Sequence, residues 1–175
     1  MSYVAELERM ANALSRDISR SSTLSMVLIA ERMAKTLAVK PDGVAILGLS
    51  ARWQHLYFLA PENLKNVGFI PLNSASALAA RTARESRPEI INNFASVRHA
   101  CVFEGAKSAG ETGDQIQRII SAPILSGENV VGVLQISRKG QTVALSGPDF
   151  TPADLGKTLA LCRPLGKILQ VLTAE

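Results

Sequence analysis

Hydrophobic positions recur with a helical period at both ends of the chain and with a period of two in its middle. At the start, five apolar residues follow alternating spacings of three and four, which is the pattern of an amphipathic helix. We name this set the N-terminal seam: Val4, Leu7, Ala11, Leu14 and Ile18. Two heptads are too short to persist alone in water, so the seam must pack on its own domain or on a second copy. We expect residues 1–21 to form this helix and to provide a homodimer contact.

Two hairpins are predicted from period-two segments in the middle of the chain. Residues 44–49 form a short, wholly apolar run, and residues 53–59 alternate between two faces. Residues 117–125 and 129–138 form a second, longer pair, joined by a tight turn that contains glycine. His55 and Tyr57 share one face with Trp53 and Leu59.

The remaining segments predict helices and short edge strands. Residues 24–38 contain neither Gly nor Pro and are apolar on more than one side, which predicts a helix covered on several sides. Residues 77–85 predict a third helix, flanked by short extended pieces at 69–72 and 89–91. A helix with a hydroxyl cap and a proline in its first turn begins after Thr151.

The order of these elements predicts an α/β protein of the α+β kind. Its core is a mainly antiparallel sheet of five or six strands, with the N- and C-terminal helices on one face. Residues 92–115 are irregular and glycine-containing, and a long connection of this kind is typical of a lid or binding loop. We expect a pocket on the other face, under the middle helices and this loop.

Length, charge and cysteine content exclude several classes of protein. The chain has 175 residues and a net charge of +4, which suits one domain with a modest positive charge. Arg81, Arg84 and Arg87 are interpreted as a solvated helix face, so no nucleic-acid partner is expected. Cys101 and Cys162 lie far apart and indicate neither a disulfide scaffold nor a metal site. Without a signal peptide or an apolar run of about 20 residues, a cytoplasmic location away from the membrane is expected.

The C-terminal half resembles a GAF domain. Residues 119–125 form a strand with a small-Pro-apolar step, residues 130–136 follow as an apolar strand with glycine, and residues 150–155 read Phe-Thr-Pro-Ala-Asp-Leu, similar to the family's helix start. In the first half, a long helix precedes 43–49, and residues 70–91 resemble the middle of the family. We therefore assign residues 22–175 to a GAF-like domain; a PAS domain, whose sheet is similar, is the alternative.

The resemblance implies a sensor of small molecules, and we test the family's known chemistries against these residues. The cyclic-nucleotide signature cannot be placed, and His99-Ala100-Cys101 does not match the Cys-His order of bilin-binding members. Two histidines without ligands at metal spacing predict no metal, and no haem or other cofactor is required. A reductase of free methionine sulfoxide would need Cys101 as nucleophile and a resolving thiol in the pocket, which Cys162 does not supply if it faces the core.

The sequence thus predicts a non-enzymatic signalling domain that is homodimeric through its terminal helices. Its output would lie in a separate protein, and its ligand is not identified. The expected pocket residues are His55, Tyr57, His99, Cys101, Phe103 and Gln135. Two alternatives stay open: a protein–protein interaction module with a vestigial pocket, and a thiol-based reductase that uses Cys101.

Overall fold

The chain is built around one six-stranded antiparallel sheet. The computed structural model describes residues 2–96 and 114–173. In chain order the strands are β1 (Val44–Ser50), β2 (His55–Ala60), β3 (Phe69–Pro71), β4 (Glu89–Ile91), β5 (Gln115–Ser126) and β6 (Asn129–Gly140). Their order across the sheet is β3-β2-β1-β6-β5-β4, and each neighbouring pair is antiparallel. The predicted sheet is confirmed, and the two hairpins meet through the pairing of β1 with β6.

Within the described residues, four α-helices cover the two faces of this sheet. They are α1 (Tyr3–Arg16), α2 (Met26–Thr36), α3 (Leu78–Glu85) and α4 (Pro152–Leu172). The hydrophobic core that contains α1, α2 and α4 lies on one face, which we call the helix face. A second core joins α3 to the opposite face, which we call the α3 face. Within the part of the chain that the structure describes, no helix is both long and apolar enough to cross a membrane.

Alternation along β1 separates the two faces. Val44 and Ile46 belong to the core of the helix face, whereas Leu47 belongs to that of the α3 face. The register with β2 shifts at this point, since Ile46 pairs with Ala60 and Leu47 pairs with Phe58. The extra residue in β2 is a β-bulge, which re-aims the side chains that follow it.

The N-terminal seam packs within its own chain. Leu7, Ala11 and Leu14 are fully buried in the core of the helix face, and α1 lies chiefly against α4. Val4 is partly buried against the same core, but Ile18 lies beyond the end of α1 and its side chain is 67% exposed. Three of the five residues expected at a dimer contact are therefore already covered by the chain itself. The homodimer, and the division of the chain at residue 21, stay predictions.

The link between β6 and α4 is held by partly buried polar contacts. The Asn92 side chain donates to the carbonyl of Phe150 at 3.1 Å and accepts from the Phe150 backbone N–H at 2.8 Å. Arg118, largely buried, donates to the carbonyls of Asn92 at 2.8 Å and Gly147 at 3.1 Å, and it forms an ion pair with Asp149. These contacts fix the chain where α4 begins.

The predicted start of α4 is confirmed in detail. The Thr151 hydroxyl accepts from the backbone N–H of Asp154 at 3.3 Å, and the Asp154 carboxylate accepts from the backbone N–H of Thr151 at 2.8 Å. Together the two bonds form a capping box. The helix then continues through Pro164 as far as Leu172.

Of the arginines predicted to form a solvated helix face, Arg84 and Arg87 are exposed and Arg81 is partly exposed. Arg81 forms two hydrogen bonds of 3.0 Å with Glu89 of β4. Arg84 donates to the carbonyl of Ser74 at 2.8 Å and also to that of Leu72. These contacts connect α3 to the residues before it and to β4 after it.

Candidate functional site

A row of buried polar side chains crosses the α3 face of the sheet. The hydroxyl groups of Thr82 in α3 and Ser121 in β5 lie 2.7 Å apart, and Gln135 in β6 donates to the Ser121 hydroxyl at 3.2 Å. Thr82 and Ser121 are fully buried, and Gln135 is 4% exposed. Since buried polar groups without partners are costly, the chain of hydrogen bonds is what allows these residues to lie in an apolar core.

A narrow cleft opens beside Gln135. Its floor is the α3 face of the sheet, with Ala45, Phe58 and Ile119, and its wall is the chain after β2, with Pro61 and Leu64. The volume of the cleft is about 30 Å³. This is room for a water molecule and is far below the several hundred Å³ of a typical metabolite site.

The mouth of this cleft carries charged groups. Lys139 follows Gln135 and Ser137 on the same face of β6, and its ammonium group donates to the Asp42 carbonyl at 3.0 Å and lies 3.4 Å from the Asp42 carboxylate. The Ser137 hydroxyl donates to the carbonyl of Gly43 at 3.5 Å. The cleft thus combines an apolar floor with an amide, a hydroxyl and an ion pair, and these groups provide both hydrogen-bond donors and acceptors.

The structure separates the predicted pocket residues that it describes. Gln135 lines the cleft, but Tyr57 lies on the helix face, since its ring occupies the space above Gly48 of β1. His55 shares that face, and its ring stacks on Phe69 of β3 at 4.1 Å between centroids. Placing His55 and Tyr57 in one pocket with Gln135 is therefore wrong for this geometry, because the sheet lies between them.

The other three predicted pocket residues, His99, Cys101 and Phe103, lie outside the described residues. Most of the irregular connection expected at 92–115 lies outside them as well. The described chain leaves the α3 face at Ser96, next to Phe94, and returns at Asp114, next to Ile116. Phe94 and Ile116 belong to one small core on the side of the sheet that carries the cleft.

The thiol of Cys162 is unsuited to redox chemistry. It is buried in α4 within the core of the helix face, as the sequence predicts. Burial disfavours the thiolate and raises the pKa of Cys162 to about 12. A thiol that stays protonated is a poor nucleophile, and the sheet separates Cys162 from the α3 face.

Sequence reasoning missed two parts of this site. Ser121 interrupts the apolar run Ile119–Leu125, and a lone hydroxyl in a strand of this kind is a signal that could have been used. Thr82 lies four residues after Leu78, whose carbonyl accepts its hydroxyl at 3.0 Å. Nothing in the sequence pairs Thr82 with Ser121, because the contact spans two separate elements. Among residues 2–96 and 114–173, no cluster of three metal-ligating side chains is found.

An antiparallel sheet with terminal helices on one face and a polar cleft on the other defines the class of small α+β domains. The GAF domain family model matches residues 6–168. The chain belongs to the GAF domain family, and the match decides against the PAS alternative. A search of curated proteins finds no match.

Solved structures of the same fold come from proteins with different roles. The GAF domain of an Acinetobacter phosphoenolpyruvate-protein phosphotransferase is 16% identical with a TM-score of 0.66, and the match covers 99% of this chain and 97% of that one. Residues 122–287 of a methyl-accepting chemotaxis protein are 13% identical with a TM-score of 0.65, and the match covers 94% of this chain and 99% of that one. A type II free methionine-R-sulfoxide reductase from Thermoplasma acidophilum is 10% identical with a TM-score of 0.58, and the match covers 94% of this chain and 95% of that one. At these identities the likeness shows the fold alone.

Proposed function

We propose that this GAF domain is a non-enzymatic sensor that binds a small molecule at the cleft beside Gln135. The observation that supports this most is the row of buried polar side chains on an otherwise apolar sheet face. Gln135 carries both a donor and an acceptor and lies where the row meets the cleft. Such a placement suits recognition of a ligand with a polar group and an apolar body.

Binding of a metabolite requires the cleft to widen. At about 30 Å³ the cleft holds only a water-sized guest, so the wall at Pro61 and Leu64 must move away from the sheet. A ligand that binds only the widened form shifts the population toward it. This movement is what a sensor passes on, and the output belongs to a separate protein that recognises the widened form.

The experiment combines native mass spectrometry of freshly purified protein with a melting screen against nucleotides, amino acids and organic acids. A ligand specific for the folded state raises the melting temperature of the protein. In the mass spectrum we expect one ligand molecule bound per chain. Gln135→Leu removes the amide at similar size and should abolish the response. Gln170→Leu, at the exposed end of α4, should keep it. A ligand that binds Gln135→Leu as it binds the natural protein would place the site elsewhere.

One observation favours a second candidate function. The smallness of the cleft is what a protein–protein interaction module with a vestigial pocket would show. That module would give no melting response to any compound, and both glutamine variants would bind its partner protein equally well. The two functions therefore differ in the effect of Gln135→Leu.

A separate activity assay tests the alternative of a thiol-based reductase. Two structural neighbours are free methionine-R-sulfoxide reductases, and Cys101 would be the nucleophile here. The burial of Cys162 leaves the reaction without a second thiol in this chain. We expect no turnover of free methionine sulfoxide with a thiol reductant. Turnover that is lost in Cys101→Ser would replace the sensor proposal with an enzyme.

A further inference from the structure

Only one placement of the hydroxyl protons turns all three contacts of the buried polar row into hydrogen bonds. The Thr82 hydroxyl lies 3.0 Å from the carbonyl of Leu78, and because a carbonyl can only accept, Thr82 gives its single proton to Leu78. The 2.7 Å contact between Thr82 and Ser121 is then a hydrogen bond only if Ser121 donates to Thr82. With its proton used in this way, Ser121 can only accept from Gln135.

This placement of protons determines which end of the Gln135 amide faces Ser121. A hydroxyl oxygen that has no proton left to give attracts an N–H group and repels a carbonyl oxygen. The amide nitrogen of Gln135 accordingly lies 3.2 Å from the Ser121 oxygen. Because the row is almost completely buried, the reverse orientation would place two acceptors against each other without water, which is costly. The Leu78 carbonyl at the far end of the row therefore fixes the orientation of the amide.

Strand pairing shows where the amide oxygen then points. In the sheet, Gln135 has Ser121 of β5 on one side and Ala45 of β1 on the other. The amide nitrogen is turned toward Ser121, so the oxygen is turned toward Ala45, which lines the cleft. The nearby Ser137 hydroxyl gives its proton to the Gly43 carbonyl at 3.5 Å, so its oxygen is an acceptor as well. Since a carbonyl oxygen accepts two hydrogen bonds, Gln135 can bind a ligand in addition to its contacts within the protein.

We propose that Thr82 is a positioning residue that makes the cleft beside Gln135 selective for molecules with a hydrogen-bond donor. The inference rests on the proposed sensor function and names the chemical class of its ligand: an apolar body with an N–H or O–H group on the end that enters the cleft. A molecule that brings only an acceptor leaves the Gln135 oxygen unpaired in a buried site and binds about tenfold more weakly. Thr82 acts through Ser121 and Gln135 rather than by touching the ligand.

The probes are indole, which carries one N–H donor, and 1-indanone, which has a similar size and carries only an acceptor. Titration calorimetry of the complete chain should show that indole binds about tenfold more tightly than 1-indanone. Thr82→Val removes the hydroxyl at nearly unchanged volume, so the Ser121 proton is released and binds the amide oxygen of Gln135. The amide then turns its N–H groups toward the cleft, and the preference should be lost or reversed in favour of 1-indanone.

Further variants separate this role from a merely structural one. Thr82→Ser keeps the hydroxyl and should restore the preference for indole. Thr158→Val is the matched control, because Thr158 is equally buried and donates to the Asp154 carbonyl at 2.9 Å within α4. Its loss should leave the preference unchanged. If Thr82→Val does not fold, Ser121→Ala replaces it, since the amide then loses its partner in the row and the two probes should bind about equally.

The outcomes distinguish this inference from the sensor proposal itself. Equal binding of both probes by the natural protein, or an indole preference that persists in folded Thr82→Val, would overturn the donor selectivity and leave the ligand site at Gln135 in place. If neither probe binds, the sensor proposal loses its support, and nuclear magnetic resonance of the free protein decides the inference. A nuclear Overhauser effect should join the Gln135 side-chain N–H protons to the Ser121 side chain in the natural chain and should be lost in Thr82→Val. Its persistence in the variant would show that Thr82 does not orient the amide.

Discussion

Single residues decide how closely the elements of this protein approach one another. Gly166 lies where α4 crosses β5, and a Cβ atom there would lie 1.9 Å from the Leu125 carbonyl oxygen. Because backbone cannot yield as a side chain can, Gly166→Ala should destabilise the fold by about 2 kcal/mol or more. Gly156→Ala, in the same helix with nothing within 4 Å, should stabilise it by up to about 1 kcal/mol. Urea denaturation measures both, and equal effects would contradict the close approach.

Arg118 is a second residue on which much of the local structure depends. Its guanidinium donates to three backbone carbonyls, that of Val143 included, and pairs with Asp149 from a largely buried position. Arg118→Met leaves these acceptors without their donor, and we expect a loss of about 3 kcal/mol in the free energy of unfolding. Arg138→Met removes one bond to the Pro148 carbonyl and a contact with the Phe150 ring, so about 1 kcal/mol is expected. If the Arg118 variant were as stable as the Arg138 variant, the contacts of Arg118 would not contribute to stability as argued here.

The pocket residues show what residue patterns can and cannot predict. Period-two alternation correctly puts His55 and Tyr57 on one face of β2, and Gln135 on one face of β6. It does not say which face of one strand lies beside which face of another, because that depends on register and on the bulge at the end of β2. A polar side chain in an apolar strand must bind a partner or a ligand, and this predicts Gln135 at a site. Which face of the sheet carries His55 depends on strand pairing, which the sequence does not specify.

At the scale of elements, the cap of α4 predicts a response to pH. The Thr151 backbone N–H, with its hydroxyl, holds the pKa of Asp154 below its usual range. A depressed carboxyl pKa stabilises the fold above about pH 4, and this contribution is lost as the pH falls through the native pKa. Asp154→Asn should therefore reduce the loss of stability between pH 5 and pH 2, as measured by urea denaturation.

Thr151→Ala is the matched control for this cap. It removes the hydroxyl and should cost about 1 kcal/mol at neutral pH. The variant keeps the backbone N–H that is the main cause of the low pKa of Asp154, so most of the acid dependence should persist. If Asp154→Asn lost stability toward pH 2 as steeply as the natural chain, the carboxylate would not be the group that titrates.

The elements themselves were predicted well, and their partners less so. Capping residues and periodicity gave all four helices and six strands that the structure describes, with ends displaced by a few residues. The N-terminal seam was correctly identified as a surface that must be covered, but periodicity carries no information on what covers it. The structure supplies α4 of the same chain, whose own apolar residues face α1 across the core.

At the scale of the whole molecule, the position of α1 predicts that the chain folds as one unit. Leu7 is completely buried among residues from the other terminal helices and the sheet, so Leu7→Ala should destabilise the entire fold by about 3 kcal/mol. Ile18→Ala, at an exposed position of the same seam, should change stability by less than about 0.5 kcal/mol. Far-ultraviolet circular dichroism and Trp53 fluorescence should report one coincident transition for both variants. Two separate transitions for Leu7→Ala would mean that α1 is an independent appendage, in which case the seam would again be available to a second copy.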